Sequence, residues 1–229
     1  MATTSTTSDH LSLSFKDHRR LAVLLSIFSA ALVAANLIGS KVTVILGVSV
    51  SVGIFAYPLT FLITDIVSEV HGRKWAQNFV WGGLIAQLLV LVLILIALAM
   101  PASERFAIEA EYQEVFKQSA RIIAASLTAF LVSQSLDVWV FHKIKERAKG
   151  RFLWLRNNLS TILSQLVDTM LFMYLAFWHA FPKMTTGFVF SLAMTYWGLK
   201  ILFALIDTPF VYLGVRWLRG GKKDAVLQK

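Results

Sequence analysis

Apolar residues fall into six long runs, near 20–40, 53–70, 78–100, 119–141, 160–181 and 188–214, separated by short polar breaks. Each run is long enough to cross about 30 Å of hydrocarbon as a tilted helix. Helix is the required element there, because a backbone group unpaired in lipid costs several kcal/mol and an open sheet edge leaves many. The pattern predicts an all-α, polytopic membrane protein of six transmembrane helices.

One stretch departs from this pattern. Between Lys41 and Gly53, the residues Val42, Thr43 and Val44 alternate before Leu46-Gly47, and Val48 to Val52 alternate after it. This period of two around a glycine turn reads as a short extracytoplasmic β-hairpin between the first two helices, able to act as a lid over a binding site. The same residues also suit a β-branched first turn of the second helix.

Composition reinforces the membrane reading. The 229 residues are 57% apolar and only 15% charged, with a mean hydropathy of +0.66, too apolar for a soluble domain of this size. Residues 1–17 read as a Ser/Thr-rich flexible cytoplasmic tail, 18–216 as a six-helix transmembrane domain and 217–229 as a second cytoplasmic tail. The run Leu21 to Ile38 follows Lys16, Arg19 and Arg20 as a signal peptide would, but it is longer than a usual signal core and reads as a retained first span. There is no cysteine, which excludes disulfides, thiolate metal sites and cysteine nucleophiles.

The net charge of +9 raises nucleic acid as a partner. Its distribution argues otherwise. With the amino end inside, 16 of the 22 Lys and Arg residues fall in cytoplasmic segments and only Lys41, Arg105, Lys117 and Lys183 fall outside. That asymmetry obeys the positive-inside rule, predicts that both termini are cytoplasmic, and makes the charge topological. The outer segment after Pro101, with Glu104, Glu109, Glu111 and Glu114 among aromatics, reads as a short amphipathic surface helix. The stretch Arg151 to Arg156 reads as an anchor on the anionic inner leaflet.

Polar residues inside the spans carry the chemistry, since a charge at bilayer depth costs at least about 2.5–3.5 kcal/mol unless it meets a cavity or a partner. They are Asn36, Thr64, Asp65, Glu69, Arg121, Gln134, Asp137, Gln165, Asp168, Lys200 and Asp207. Asp65 and Glu69 lie four apart on one helical face. Gln134 with Asp137, and Gln165 with Asp168, repeat one amide-acid spacing on antiparallel fourth and fifth spans, so both pairs can converge in the inner half of the membrane. Interhelical glue explains some of them, Arg121 suits snorkelling to the outer interface, and Glu69 and Asp207 suit span ends. A shared cavity explains the set better. Carboxylates, amides and aromatics such as Phe55, Tyr57, Phe61, Trp139, Trp178 and Trp197 suit a flat, polar, hydrogen-bonding solute.

The run Tyr57-Pro58-Leu59-Thr60-Phe61-Leu62-Ile63-Thr64-Asp65-Ile66-Val67-Ser68-Glu69-Val70-His71-Gly72 carries a more specific signal. With Gln134-Ser135-Leu136-Asp137-Val138-Trp139-Val140-Phe141, Arg156-Asn157-Asn158 and Gln165-Leu166-Val167-Asp168-Thr169, it closely resembles the queuosine precursor transporter family, from about residue 20 to 215. The resemblance implies a bacterial inner-membrane importer of 7-cyano-7-deazaguanine or 7-aminomethyl-7-deazaguanine, salvaged for tRNA modification. It also implies a fold similar to the substrate-binding subunits of energy-coupling-factor vitamin transporters, but action without an ATPase partner. Its motif positions here are Asp65, Glu69, Gln134, Asp137, Asn157, Asn158, Gln165 and Asp168; Asn36, Arg121 and Lys200 join them on their polarity within the spans.

The expected partners are thus a 7-deazaguanine and membrane lipid, with no nucleic acid and no cofactor; a homo-oligomer stays open. An acid would pair with the N1–H and amino edge of the base while Gln134 or Gln165 meets the carbonyl. Proton coupling, or carriage of another flat heterocycle or vitamin, is the alternative within transport, because burial raises a carboxylate's proton affinity. An intramembrane enzyme built on Asp65, Glu69 and His71 lacks a nucleophile-base motif or metal-ligand spacing. A scaffold subunit would use the polar residues as helix contacts alone.

Overall fold

The structure, a computed structural model, describes residues 15–45, 47–147 and 153–218. Within its helices the side chains of Asp137, Asn157, Asn158 and Asp207 lie outside the described set, as do those of the predicted Arg151 to Arg156 anchor. The elements, in order, are α1 (Phe15–Ile38), β1 (Val42–Ile45), β2 (Val48–Ser51), a short 3-10 helix (Val52–Phe55), α2 (Tyr57–His71), α3 (Arg73–Ala99), α4 (Glu109–Arg147), α5 (Leu153–Phe177) and α6 (Thr186–Leu218).

Among the described residues, five stretches are long and apolar enough to cross a membrane: Phe15–Ile38, Val52–His71, Arg73–Ala99, Glu109–Leu136 and Thr186–Phe203. The chain is therefore a multi-pass membrane protein. Among the described residues, the apolar part of α5, Ile162–Phe177, is shorter than these.

Each helix turns a narrow stripe inward. On α1 the buried positions Leu21, Leu24, Phe28, Ala31 and Ala35 follow the three-four spacing of one helical face. On α3 the stripe is Phe79, Gly83 and Gln87, while Trp81, Ile85, Leu88, Leu89, Val92 and Leu93 are exposed. A helix apolar on every side needs a second apolar medium, and here that medium is lipid. Helices α2 and α3 are joined by Gly72 alone, whose φ of 87° suits a residue without a Cβ; its N–H bonds Ser68 O at 2.9 Å and closes α2.

The predicted hairpin is present, with β1 and β2 antiparallel and Val42 opposite Ser51, Thr43 opposite Val50, Val44 opposite Ser49 and Ile45 opposite Val48. The alternative, a β-branched first turn of α2, is not what the chain adopts: the 3-10 helix intervenes and α2 starts at Tyr57. The hairpin is tied down at its base. Ser51 Oγ donates to Gly39 O at 2.7 Å, and Tyr196 Oη on α6 donates to Ser51 O at 2.9 Å.

The acidic segment expected as a separate surface helix is instead the start of α4. Neither Gly nor Pro occurs between Glu109 and Arg147, so nothing interrupts one helix of 39 residues, and Glu109 and Glu111 complement the partial positive charge of its first turn. Helix α5 ends at Phe177, four residues before the expected 181, where His179 takes a positive φ of 53°.

The apolar core divides toward the two ends of the bundle. At the hairpin end, Val50 and Ile54 pack with Ile122 and Ala125 of α4, Met173 and Phe177 of α5, and Leu192 and Tyr196 of α6. At the opposite end, Leu21, Leu24 and Phe28 of α1 pack with Ile63, Ile66 and Val67 of α2, Phe79 of α3 and Leu218 of α6. Arg20 fastens this second end: its Nη1 donates to Leu218 O at 3.1 Å and its guanidinium lies 5.5 Å from the Trp217 ring centre. A smaller cluster joins Ile94 of α3 to Ala120 and Ile123 of α4.

The hairpin end depends on close backbone approach at Gly53, where an added Cβ would stand 2.6 Å from Ala35 O. Gly53→Ala is expected to cost about 1–3 kcal/mol, the usual range for overpacking. Thermal melting in detergent should show the loss, whereas Gly198→Ala, with nothing within 4 Å of the new methyl, should melt unchanged or higher.

Candidate functional site

Between the two apolar clusters lies a cavity of about 400 Å³ to which all six helices contribute. Its lining follows helical spacing. From α2 come Tyr57, Thr60, Phe61 and Thr64; from α4, Ser126, Ala129, Phe130, Ser133 and Gln134; from α5, Ser164, Gln165, Asp168, Thr169, Phe172 and Met173. Intervals of three and four place each set on one face, so a handful of polar residues in otherwise apolar helices come together on a lining that is otherwise largely apolar. Phe28 and Leu32 of α1, Val80, Leu84 and Gln87 of α3, and Tyr196 and Lys200 of α6 complete it, with Arg73 at the end away from the hairpin.

A charged cluster lies on its wall. Lys200 Nζ donates to Asp168 Oδ2 at 2.9 Å, to Thr169 Oγ1 at 3.1 Å and to Gln165 Oε1 at 3.4 Å. Ser133 Oγ on α4 donates to the other carboxylate oxygen, Asp168 Oδ1, at 3.3 Å. The side chains of Lys200 and Asp168 are only 18% and 23% exposed, so each charge would be costly alone and the pair offsets much of that cost. The cluster links α4, α5 and α6, and it aligns acceptors and donors along the cavity wall. Opposite in character are the rings of Tyr57 and Phe61, near parallel with centres 6.3 Å apart, which give the cavity an aromatic surface.

Of the residues singled out in the sequence, Gln134, Gln165, Asp168 and Lys200 meet at this cavity. Asp65 and Glu69 are exposed and are not among its lining residues. Asn36 is fully buried in α1 and is not itself a lining residue: its Nδ2 donates to the carbonyl of the lining residue Leu32 at 3.0 Å, and its Oδ1 has no partner among the described residues. Arg121 is not a lining residue: its Nε donates to Leu175 O at 2.8 Å and its Nη2 to Trp178 O, closing the last turn of α5. Asp137, Asn157 and Asn158 have side chains outside the described residues. Of the candidate stacking aromatics, Tyr57 and Phe61 reach the cavity, whereas Phe55, Trp139 and Trp178 are exposed.

Sequence reasoning missed Thr60, Ser126, Gln87 and Tyr196. Ser and Thr hide easily in apolar runs, and Gln87 is a lone amide in a long apolar helix; only the three-four spacing of small polar residues on one face would have signalled them.

A bundle of lipid-facing helices around a cavity that carries a polar cluster on a largely apolar lining is the architecture of a membrane carrier. The chain belongs to the putative vitamin uptake transporter family, whose profile it matches over residues 51–214. Among curated proteins it is 31% identical to the probable queuosine precursor transporter of Bacillus subtilis over 198 residues, covering 85% of this chain and 84% of that one. It is 28% identical to the queuosine precursor transporter of Escherichia coli over 162 residues, or 71% of each chain. A probable queuosine precursor transporter of Haemophilus influenzae is 26% identical over 129 residues, covering 56% of this chain and 52% of that one. No solved structure matches.

The ion pair is directly testable. Lys200→Met strands a half-buried carboxylate and is expected to cost about 2–3 kcal/mol, somewhat under the loss for a fully buried pair. The double variant Lys200→Met with Asp168→Leu should recover most of that stability in thermal melting.

Proposed function

We propose that this protein imports a queuosine precursor of the 7-deazaguanine type across the bacterial inner membrane. The observation that carries the reading is the meeting of Gln134, Gln165, Asp168 and Lys200 in one cavity of about 400 Å³, within the ordinary range for small-molecule sites. The curated relatives bear the corresponding name over most of the chain.

The distribution of Lys and Arg supports six crossings with both termini cytoplasmic. In that orientation the hairpin covers the outer end, and Arg73 stands at the cytoplasmic rim of the cavity. The structure then corresponds to an inward-facing state, sealed outside by the hairpin, the Tyr196 hydroxyl and the apolar packing of Val50 and Ile54. Import requires that seal to open while the Leu21–Phe28 and Ile63–Val67 packing closes the inner end.

Within the cavity the base lies against the Tyr57 and Phe61 rings, and its polar edge exchanges hydrogen bonds with the α4–α5–α6 cluster. Asp168 enters this exchange already paired with Lys200, so the cluster serves as a neutral donor-acceptor array rather than a free anion. An analogue lacking the matching groups leaves buried partners unpaired, at about 1–3 kcal/mol each, and that difference gives selectivity. No ATPase subunit enters this scheme. The relatives are transporters by name, and the enzyme alternative has no support from the site.

In a strain unable to synthesise the precursor, Gln165→Leu is expected to reduce uptake at least about tenfold, the effect of one stranded buried partner, while Asp65→Asn stays near wild type. Queuosine content of tRNA at limiting external precursor measures this. Equal uptake by Gln165→Leu and wild type would remove the cluster from the site.

A further inference from the structure

Gln87 stands apart from every other amide near the core. It is only 1% exposed and borders the cavity, yet among the described residues neither Oε1 nor Nε2 has a hydrogen-bond partner. An amide buried without partners is destabilising, and such a group in a native fold calls for a reason.

Interhelical glue is not that reason. Where this fold uses a buried amide as glue, the bond is present: Gln118 Nε2 donates to Ala176 O across α4 and α5 at 3.0 Å. Even Asn36, whose Oδ1 lacks a partner among the described residues, keeps one bond, from Nδ2 to Leu32 O within α1 at 3.0 Å, whereas Gln87 keeps none. Gln165 meets Lys200 at 3.4 Å. Gln87 belongs to the inward stripe Phe79–Gly83–Gln87 of α3, eight residues beyond Phe79, so the helix itself delivers the amide to the interior. The rest of that stripe is apolar. The cavity contents are the remaining source of partners.

We propose that Gln87 is a specificity-determining residue that pairs with a cis-amide edge of the transported heterocycle, an adjacent ring N–H and C=O. A primary amide presents one acceptor beside one donor pair, so Oε1 accepts the ring N–H while Nε2 donates to the ring carbonyl. Two parallel bonds satisfy both stranded atoms at once and fix the ring in its own plane. This assignment rests on the carrier reading above and refines it: the α4–α5–α6 cluster holds one part of the solute, and α3 reads its lactam edge. A ring whose N–H is methylated, or whose carbonyl is lost, leaves the amide stranded and is rejected.

The test uses full-length protein in detergent, with 7-cyano-7-deazaguanine and its N1-methyl derivative as probes. Wild type should bind the parent base and discriminate strongly against the methylated one. Gln87→Met, similar in shape and without polar atoms, should bind the parent base about 10- to 100-fold more weakly and lose most of the discrimination. The empty Gln87→Met protein should melt at the same temperature or higher, because a stranded amide has been removed.

Unchanged affinity or unchanged discrimination in Gln87→Met overturns the assignment while leaving the carrier reading in place. A lowered melting temperature, or failure to fold, overturns it too, since that is the signature of structural glue. Failure of wild type to bind any 7-deazaguanine defeats the carrier reading itself and this assignment with it.

Discussion

The Lys200–Asp168 pair is the interaction around which the rest of the bundle is organised. Neither charge is tolerable alone at the depth of an apolar helix, so each requires the other, and their 2.9 Å contact joins α5 to α6. Ser133 then brings α4 to the same carboxylate, and Thr169 and Gln165 supply further oxygens to the ammonium. The cluster lines the cavity rather than a dry apolar centre, so its donors and acceptors border open space between the helices.

Apolar packing completes the arrangement at both ends. The hairpin contributes Val50 and Ile54 to one plug, and α1, α2, α3 and the end of α6 form the other. Lipid takes the remaining apolar surface, most visibly along α3, where large side chains are exposed on the face opposite Phe79 and Gly83. With no hydrophobic force between helices inside lipid, close contacts such as Gly53 against Ala35 and hydrogen bonds such as Tyr196 to Ser51 carry the specificity of packing.

Much of this fold was legible in the sequence because lipid imposes a simple rule on apolar length. A helix covers most of each apolar run, five stretches among the described residues are long and apolar enough to cross a membrane, and the period-two signal at 42–51 marked a real hairpin. The start of α4 was misread, since acidic and aromatic residues resemble a surface helix when nothing shows that the helix continues. Within the site, Asp168 and Gln165 announced themselves by polarity in a span. Asp65 and Glu69 did so equally, yet they are exposed and lie away from the cavity: spacing tells which residues share a face but not which way the face points. The partners of Arg121, backbone carbonyls at the end of α5, are ones that no sequence pattern reveals.

The central claim is that the cavity holds the transported solute. The chain contains no cysteine, so Ser126→Cys places a single thiol on the cavity wall with little change in volume. The account predicts that a small thiol reagent labels this residue and that a 7-deazaguanine slows the labelling in a saturable way, without slowing it at an exposed position such as Gly187→Cys. Labelling of Ser126→Cys that is indifferent to saturating ligand would contradict it.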